Sequence, residues 1–332
     1  MDEALFPMLA CPACHGDLAW EVAWRDGAQV EEAEARCRAC GAAYPVREGI
    51  GLFLTPDLPR HDLWEESESR LGTYLREHPE VERQLLETPP ETLAPADLFY
   101  RALALEERGD FAQARELERR ATERLYTPEY LACHERQLAY MVGQLAGVQG
   151  PVMDLATGRG GLVERLARET EALIVATDFS PRVLRRNRRW WGHLGLRERI
   201  SLLALDARRT PFRDRTIATL TSNLGLPNIE HPGALLRELR RVVSGTFYAI
   251  SFFYPEEDEA NARLIREMGL ETLLFRGPCL EAFRAAGWDV EVAHRCEGRA
   301  LPTPTGVVLE GAGIDALPVA ETTLEWCTLV AR

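Results

Sequence analysis

A chain of 332 residues can form two or three domains, and its 46% hydrophobic and 27% charged residues are ordinary for a globular protein. The formal net charge of −13 at pH 7 argues against a surface devoted as a whole to binding nucleic-acid phosphates. The charge is nevertheless uneven, since residues 61–140 hold 18 acidic residues and 10 arginines, whereas residues 178–215 hold 4 acidic residues and 11 arginines.

The N-terminal segment lacks the basic stretch and apolar core of a secretory signal. No apolar run reaches the roughly 18–20 residues that span a bilayer. These features predict a cytoplasmic protein without a membrane partner, in which cysteines stay reduced and paired C-x-x-C motifs indicate a metal rather than a disulfide.

Two C-x-x-C pairs near the N-terminus predict a zinc site, because each pair presents two thiolates from a tight turn. Residues 18–24 alternate apolar and polar side chains, Asp26-Gly27 supplies a turn, and residues 29–36 return as a partner strand. The result is a zinc ribbon with a structural ion, since four thiolates close the coordination shell; His15 is interpreted as a neighbour. The alternative is four unligated cysteines in a β unit with little core of its own. The predicted ligands are Cys11, Cys14, Cys37 and Cys40.

The run CGAAYPVREGI, from Cys40 to Ile50, resembles the small zinc-ribbon subunit that activates several tRNA, rRNA and release-factor methyltransferases. The resemblance covers about residues 5–55. It implies a ribbon domain over residues 1–56 that is fused to an enzyme, and it raises the prospect of a protein partner bound through the ribbon.

Residues 57–125 are predicted to form a helical subdomain, with prolines including Pro56 and Pro59 marking linkers. Apolar residues recur at helical spacing on both sides of a turn at Arg108-Gly109-Asp110. We interpret this pair of helices as a cap over the active site rather than part of a solenoid, because no second copy is found. Tyr126, Tyr130 and His134 follow, where a helix over the cofactor is expected. The apolar positions are Leu98, Ala102, Leu105, Ala114, Leu117, Ala121 and Leu125.

From Pro151 onward, short apolar segments alternate with amphipathic ones, which is typical of a parallel α/β sheet. Three predicted strands, at residues 152–155, 172–178 and 200–205, each carry an acidic residue at or just beyond the carboxyl end. Open α/β sheets bind ligands at this edge. An acid after the second strand can bind a ribose diol, and one after the third, with the following amide, can bind an adenine. The acids are Asp154, Asp178 and Asp206, and the amide is that of Ala207.

The glycine-rich turn from Ala156 to Gly161 lets the backbone approach a ligand closely. A nicotinamide dehydrogenase would have glycine at the first position of this turn and an uncharged strand before it, whereas this chain has Ala156 and Asp154. A carboxylate there suits the cationic amino group of methionine rather than a phosphate.

Residues 126–332 resemble the class I S-adenosylmethionine (SAM)-dependent methyltransferases, and the run from Asp206 to Phe212 matches the element after the family's third strand. The resemblance implies SAM as cofactor and an α/β fold with a Rossmann-like sheet of seven strands, the last antiparallel. Two departures occur. Ala218 replaces the aspartate that usually begins the fourth strand, which bears on turnover more than on fold, and Ser244 replaces the first glycine of a Gly-Gly pair. The implied cofactor-binding residues are Asp154, Ala156, Gly158, Gly160, Asp178, Phe179, Asp206 and Ala207.

The family places residues facing the methyl acceptor after the fourth strand, where this chain has Asn223 and His231. The Asn/Asp-Pro-Pro-aromatic motif of enzymes that methylate base amines or glutamine amides is missing. We predict that Asn223 lines the site. His231 is predicted either as a catalytic base or, the interpretation we favour, as a surface histidine that starts the next helix. Tyr254, after the fifth strand, faces either the pocket or the core.

The arginine-rich segment 182–191 ends in two tryptophans and would suit RNA binding if its cations and rings were exposed. We favour the interpretation in which the tryptophans pack on the sheet and the arginines are solvated or pair with the acidic middle domain. The sequence as a whole predicts a SAM-dependent methyltransferase acting on a small molecule or an RNA. The alternative is a non-enzymatic SAM-binding, zinc-ribbon adaptor protein.

Overall fold

A computed structural model describes residues 1–55, 57–58 and 63–332, with only the backbone for residues 63–69. The predicted linker prolines Pro56 and Pro59 lie outside the described residues. Within the described segments, no helix has both the length and the apolar character needed to cross a bilayer.

Strands are concentrated at the N-terminus and after residue 151, and helices fill the region between. The strands are β1 (Leu18–Asp26), β2 (Gln29–Cys37), β3 (Ala43–Arg47), β4 (Ile50–Phe53), β5 (Val152–Asp154), β6 (Ile174–Asp178), β7 (Ile200–Leu205), β8 (Ile217–Asn223), β9 (Val243–Phe253), β10 (Val290–Ala300) and β11 (Thr322–Ala331). The helices are α1 (Leu63–Glu77), α2 (Pro79–Glu87), α3 (Pro95–Glu107), α4 (Phe111–Leu125), α5 (Pro128–Leu145), α6 (Gly161–Glu169), α7 (Pro181–His193), α8 (Pro232–Val242), α9 (Glu259–Glu267), α10 (Glu271–Leu274) and α11 (Arg276–Ala285).

The described strands form one sheet of 11 strands in the order β1-β2-β3-β4-β7-β6-β5-β8-β9-β11-β10. The seven strands from β7 to β10 in this order are the predicted methyltransferase sheet. β5 to β9 run parallel, and β11 pairs antiparallel with both β9 and β10. The prediction of seven strands was therefore too small for the whole sheet, because the ribbon contributes four more.

The ribbon joins the sheet through β4, which pairs in parallel with β7 from Ile50↔Leu202 to Phe53↔Leu205. The strands approach so closely that a Cβ on Gly51 would lie 2.7 Å from Leu203 Cδ2. Without the ribbon, β7 would be an exposed edge strand of the parallel sheet. The pairing therefore makes the ribbon part of the sheet rather than a separate module.

Buried charges reinforce this junction. Glu31 on β2 is 1% exposed and forms ion pairs with Arg188, at 2.7 Å, and with Arg197. A buried carboxylate requires such partners, and removing one would leave an uncompensated charge. The ribbon residues Leu5, Val30 and Phe53 also belong to the same apolar core as one face of the central sheet.

The predicted helical hairpin is present as α3 and α4, and its predicted apolar positions form their own buried core. Gly109 has φ +82° at the turn, and the Asp110 side chain caps α4 by accepting a hydrogen bond from the Gln113 amide at 3.3 Å. The fully buried Asp97 of α3 also accepts hydrogen bonds from three successive amides in the segment between β10 and β11, residues 301–321. The hairpin thereby holds this long segment against the catalytic domain. The three donors are Val307, Val308 and Leu309, at 2.9–3.0 Å.

Candidate active site

The three acidic residues lie along one edge of the sheet. Asp154 and Asp178 end the adjacent strands β5 and β6, and Asp206 directly follows β7. Asp154 is in register with Ala176, and Asp178 with Ala204, so each acid lies two residues further along its strand direction than the acid before it. This edge is where open α/β sheets bind ligands.

The turn after β5 has an unusual backbone. Ala156, Gly158 and Gly160 have φ values of +52°, +52° and +78°, a region that L-residues other than glycine rarely adopt. Gly160 is also constrained by packing, since a Cβ there would lie 2.5 Å from Cζ2 of the buried Trp191. The sequence signal for a tight ligand-binding turn therefore corresponds to a real backbone constraint.

A buried ion-pair cluster fixes this turn to the helical hairpin. The Arg159 guanidinium, within the turn, donates to Glu106 of α3 at 2.8 Å and to Glu118 of α4 at 2.5 Å. The nearby carboxylates raise the pKa of Arg159 despite its burial, so the cation is retained. The helical subdomain therefore contacts the turn, as expected of a cap over the site.

The Asp154 carboxylate is almost fully buried. Its oxygens accept hydrogen bonds from Thr221 Oγ1 at 2.8 Å and Thr157 Oγ1 at 2.9 Å. Burial raises its pKa to about 7, and the charge of Asp178 adds to the shift while the two hydroxyls oppose it. Among the described residues, both of its hydrogen-bond donors are neutral hydroxyls, so the local environment would accommodate a ligand cation.

Asp178 links the ends of β6 and the glycine turn. It accepts hydrogen bonds from the Gly158 amide at 2.9 Å and the Ser180 amide at 3.0 Å. Phe179 beside it is half-buried, and the hydroxyl oxygen of Ser180 is buried without a hydrogen-bond partner in the described structure.

Asp206 is paired with a cation. Arg208 donates from Nε and Nη2 to its two carboxylate oxygens, at 3.0 Å and 2.7 Å, and Ala207 between them is buried. Arg208 also pairs with Glu230 at 3.1 Å. His231 follows Glu230, so it is near this end of the site. Its exposed position at the start of α8 favours the surface interpretation over the catalytic base.

Asn223, at the carboxyl end of β8, is half-buried, and its Oδ1 lies 3.0 Å from Nε2 of His134 on α5. Burial lowers the pKa of His134, which keeps the imidazole neutral near pH 7. The sequence placed His134 on a helix before the catalytic domain but did not predict its partner, 89 residues away. Its only sequence signal was a histidine near two tyrosines in an amphipathic helix.

Tyr254 is buried and lines a cavity with Tyr126, Tyr130 and Asp315. The core interpretation of Tyr254 is confirmed, since it belongs to a buried apolar cluster, whereas its place in the acceptor pocket stays a prediction. Ala218, in contrast, is exposed at the opposite end of β8 from Asn223, and a Cβ on Gly245 would lie 2.2 Å from its carbonyl oxygen. The replaced family aspartate thus lies away from the edge that carries the three acids.

The arginine-rich helix α7 is engaged within the chain. Arg182 and Arg189 pair with Glu107 of α3, at 3.7 Å and 3.9 Å, and Trp190 and Trp191 are buried. The interpretation in which this helix packs on the sheet and pairs with the acidic middle domain is confirmed. Arg188 of the same helix pairs with Glu31 of the ribbon.

The four predicted metal ligands come together in the ribbon, their sulfur atoms all within 4.8 Å of one another. The Cys11–Cys40 and Cys14–Cys37 sulfur distances are 3.7 Å and 3.5 Å, and Tyr44 lies 3.3 Å from the Cys11 sulfur. A tetrahedral zinc ion with bonds of about 2.3 Å places its sulfurs about 3.8 Å apart. The cluster therefore fits zinc in both donor type and geometry.

Comparison with known proteins matches both halves of this arrangement. A family model described as a methyltransferase domain matches residues 152–245, and one described as a Trm112p-like protein matches residues 2–49. A UPF0434 protein of Erwinia tasmaniensis is 34% identical over 79 residues, 24% of this chain and 100% of that protein.

A demethylmenaquinone methyltransferase of Corynebacterium urealyticum is 37% identical over 91 residues, which are 27% of this chain and 36% of that protein. This chain spans 36–45% of the length of the demethylmenaquinone methyltransferases that it matches. Among solved structures, the YcgJ protein of Bacillus subtilis (TM-score 0.47, 13% identity) covers 60% of this chain and 98% of its own. The match to a SAM-dependent methyltransferase of Aquifex aeolicus (TM-score 0.41, 16% identity) covers 61% of this chain and 93% of that chain.

The family match and the parallel sheet show that the chain contains a methyltransferase domain. More particularly, the chain belongs to the Trm112p-like family through its N-terminal ribbon, and it carries that ribbon and a methyltransferase domain in one polypeptide.

Proposed function

We propose that this protein transfers a methyl group from SAM to a small molecule bound beside Asn223. The observation that carries the proposal is the fully buried Asp154 carboxylate, which has hydroxyl donors and an elevated pKa beside a turn held at positive φ. A bound cationic amino group would supply the charge that this site lacks, because an opposite charge nearby favours the ionised carboxylate.

The residues at this edge suit the parts of SAM in order along the sheet. We propose that Asp154, with Ala156, Gly158 and Gly160, holds the methionine end. Asp178 would bind the ribose hydroxyls, with Phe179 beside it.

Asp206 and Ala207 would contact the adenine. Since Arg208 already donates to both oxygens of Asp206, an adenine amine would have to share an oxygen with it.

SAM supplies an electrophilic methyl group on a sulfonium sulfur, so the protein mainly has to hold a nucleophile in line with it. Asn223 orients His134 through the 3.0 Å hydrogen bond. If Nε2 donates to Asn223 Oδ1, the other ring nitrogen of the neutral His134 is left to accept a proton from a protonated nucleophile. We propose His134 rather than His231 in that role, because His134 contacts the end of β8.

A small-molecule acceptor is supported over RNA by the ion pairs of α7, which engage Arg182, Arg188 and Arg189 within the chain. The adaptor alternative was based on Ala218 and on the lack of a clear base. Ala218 lies at the far end of β8, and His134 supplies a candidate base, so turnover is the better-supported function.

In the ribbon, we propose a structural zinc ion bound by the four cysteines, with Tyr44 donating a hydrogen bond to the Cys11 sulfur. Elemental analysis should find about one zinc per chain, in accord with a four-thiolate site. A chain purified as expressed with no zinc, yet with the ribbon folded, would contradict this part of the proposal.

The function is tested by incubating the zinc-loaded protein with methyl-labelled SAM and cell extract that has been separated into small molecules, RNA and protein. Label should enter the small-molecule fraction, and Asp178→Asn should abolish both the labelling and SAM binding measured by calorimetry. SAM binding without any labelled product would instead favour the adaptor, and label in RNA would overturn the choice of acceptor class.

A further inference from the structure

The cavity beside Tyr254 has a chemical character that identifies a class of acceptor. Its volume is about 70 Å³, enough for only a few water-sized groups. It is bounded by β9, by the start of α5 and by the segment between β10 and β11. It therefore suits a small functional group rather than a polymer.

An unbroken chain of contacts connects the cavity to the proposed methyl-transfer site. His134, which is bonded to Asn223, lies 5.7 Å from the Trp326 ring, and Trp326 lies 4.8 Å from the ring of Tyr130. Tyr130 and Phe252 line the cavity, and Phe252 is also 5.1 Å from Trp326. Along this path, the side chains of His134, Trp326 and Tyr130 connect Asn223 to the cavity.

Four aromatic side chains and one carboxylate are among the residues that line the cavity. Tyr126 stacks on Tyr130 at 4.7 Å, and its hydroxyl donates to Asp315 Oδ2 at 2.8 Å. The hydroxyls of Tyr130 and Tyr254 have no hydrogen-bond partner among the described residues, and Asp315 lies near both. Desolvation of the carboxylate raises the pKa of Asp315, although the residue as a whole is exposed to solvent. Among the cavity's lining residues, Asp315 is the one charged side chain.

This lining discriminates between ligand classes. An organic cation gains from the negative faces of tyrosine rings and from the carboxylate. A carboxylic acid would be repelled by Asp315, and a neutral group would desolvate that carboxylate without compensation.

We infer that this cavity binds the ammonium group of the methyl acceptor, so that the substrate is a small organic amine. Methylation of that amine rests on the proposed function, whereas binding of the cation in the cavity does not depend on it. It assigns Asp315 to charge recognition and the Tyr126–Tyr130 pair to cation–π contact.

The test uses the full-length, zinc-loaded protein saturated with S-adenosylhomocysteine, whose own binding is measured first and reports on the cofactor site alone. Choline and its neutral carbon isostere, 3,3-dimethylbutan-1-ol, are then compared by ligand-observed NMR titration. Choline should bind at least about tenfold more tightly than the isostere, from cation–π and charge contacts. Equal affinities, or no saturable binding of choline, would overturn the inference.

Variants separate recognition of charge from folding. Asp315→Asn and Tyr130→Leu should each weaken choline binding about fivefold or more while leaving affinity for the isostere nearly unchanged. Glu310→Gln removes an exposed carboxylate from the same segment, outside the cavity lining, and should have no effect. Choline binding that is insensitive to Asp315→Asn would remove the basis of the assignment.

A turnover experiment completes the test. With labelled SAM and a panel of small amines, phenols and carboxylic acids, label should appear in amines. Label in phenols or acids would refute the amine class while sustaining the proposed function. Cation binding without any label in the panel would refute turnover on these acceptors while sustaining the cation site.

Discussion

Gly160→Ala tests whether the cofactor turn is held by steric constraint. At φ +78° and ψ 17°, the backbone of this residue is left-handed, which costs an L-residue about 1–2 kcal/mol. The new Cβ would also lie 2.5 Å from Cζ2 of Trp191, which is 1% exposed. Overpacking of this kind costs about 1–3 kcal/mol. The two effects together predict a loss of about 2–5 kcal/mol in the free energy of unfolding.

The neighbouring Gly161→Ala is a matched control. It begins α6, and an added Cβ there meets no atom within 4 Å. We expect it to be neutral or to stabilise by up to about 1 kcal/mol, because alanine loses less entropy than glycine in a helix. Both variants carry the same added methyl group one position apart.

The comparison is made by thermal unfolding of the zinc-loaded protein and by calorimetric titration with SAM. Gly160→Ala should lower Tm by at least about 4 °C, from the scaling for domains of this size. The variant should also bind SAM at least tenfold more weakly, since the turn must shift to make room for the Cβ. If both variants unfold within about 1 °C of the parent and bind SAM equally, the argument for a sterically fixed turn is wrong.

Three further predictions concern other parts of the structure. Because the pKa of ligand-free Asp154 is about 7 and a bound ammonium favours its ionised form, SAM must displace a proton at low pH. Its Kd should therefore rise about tenfold from pH 8 to pH 6, and calorimetry should show this dependence lost in Asp154→Asn. Cys37→Ser, unlike Cys296→Ser outside the cluster, should lose zinc and increase hydrogen exchange at the β4–β7 pairing; unchanged exchange would argue against metal-dependent docking. Asp97→Asn should cost about 2–4 kcal/mol of stability by weakening acceptance from three amides, whereas Asp110→Asn, still a good cap, should be nearly neutral in denaturant unfolding.

The sequence predicted the acidic residues at the strand ends, but it did not predict the cavity that contains Asp315. The acidic residues at strand ends followed from periodicity and from the rule that parallel strands end at one edge, so Asp154 and Asp178 were predicted together. Asp315 had no comparable signal, because it belongs to a long segment without regular structure. Its position depends on Asp97 in a helix more than two hundred residues earlier, whose partners include Val307, 210 residues away.

The sequence by itself determined the local structure of this protein: the cysteine pairs, the ribbon hairpin, the helical turn at Gly109 and the alternation of strands and helices after residue 151. These features depend on side-chain periodicity and on backbone preferences within a few residues. Only the tertiary structure decided that β4 pairs with β7, that Arg159 is held by Glu106, and that His134 contacts Asn223. Such contacts join segments far apart in the chain, and they depend on how packed surfaces and buried charges complement one another, which no local pattern encodes.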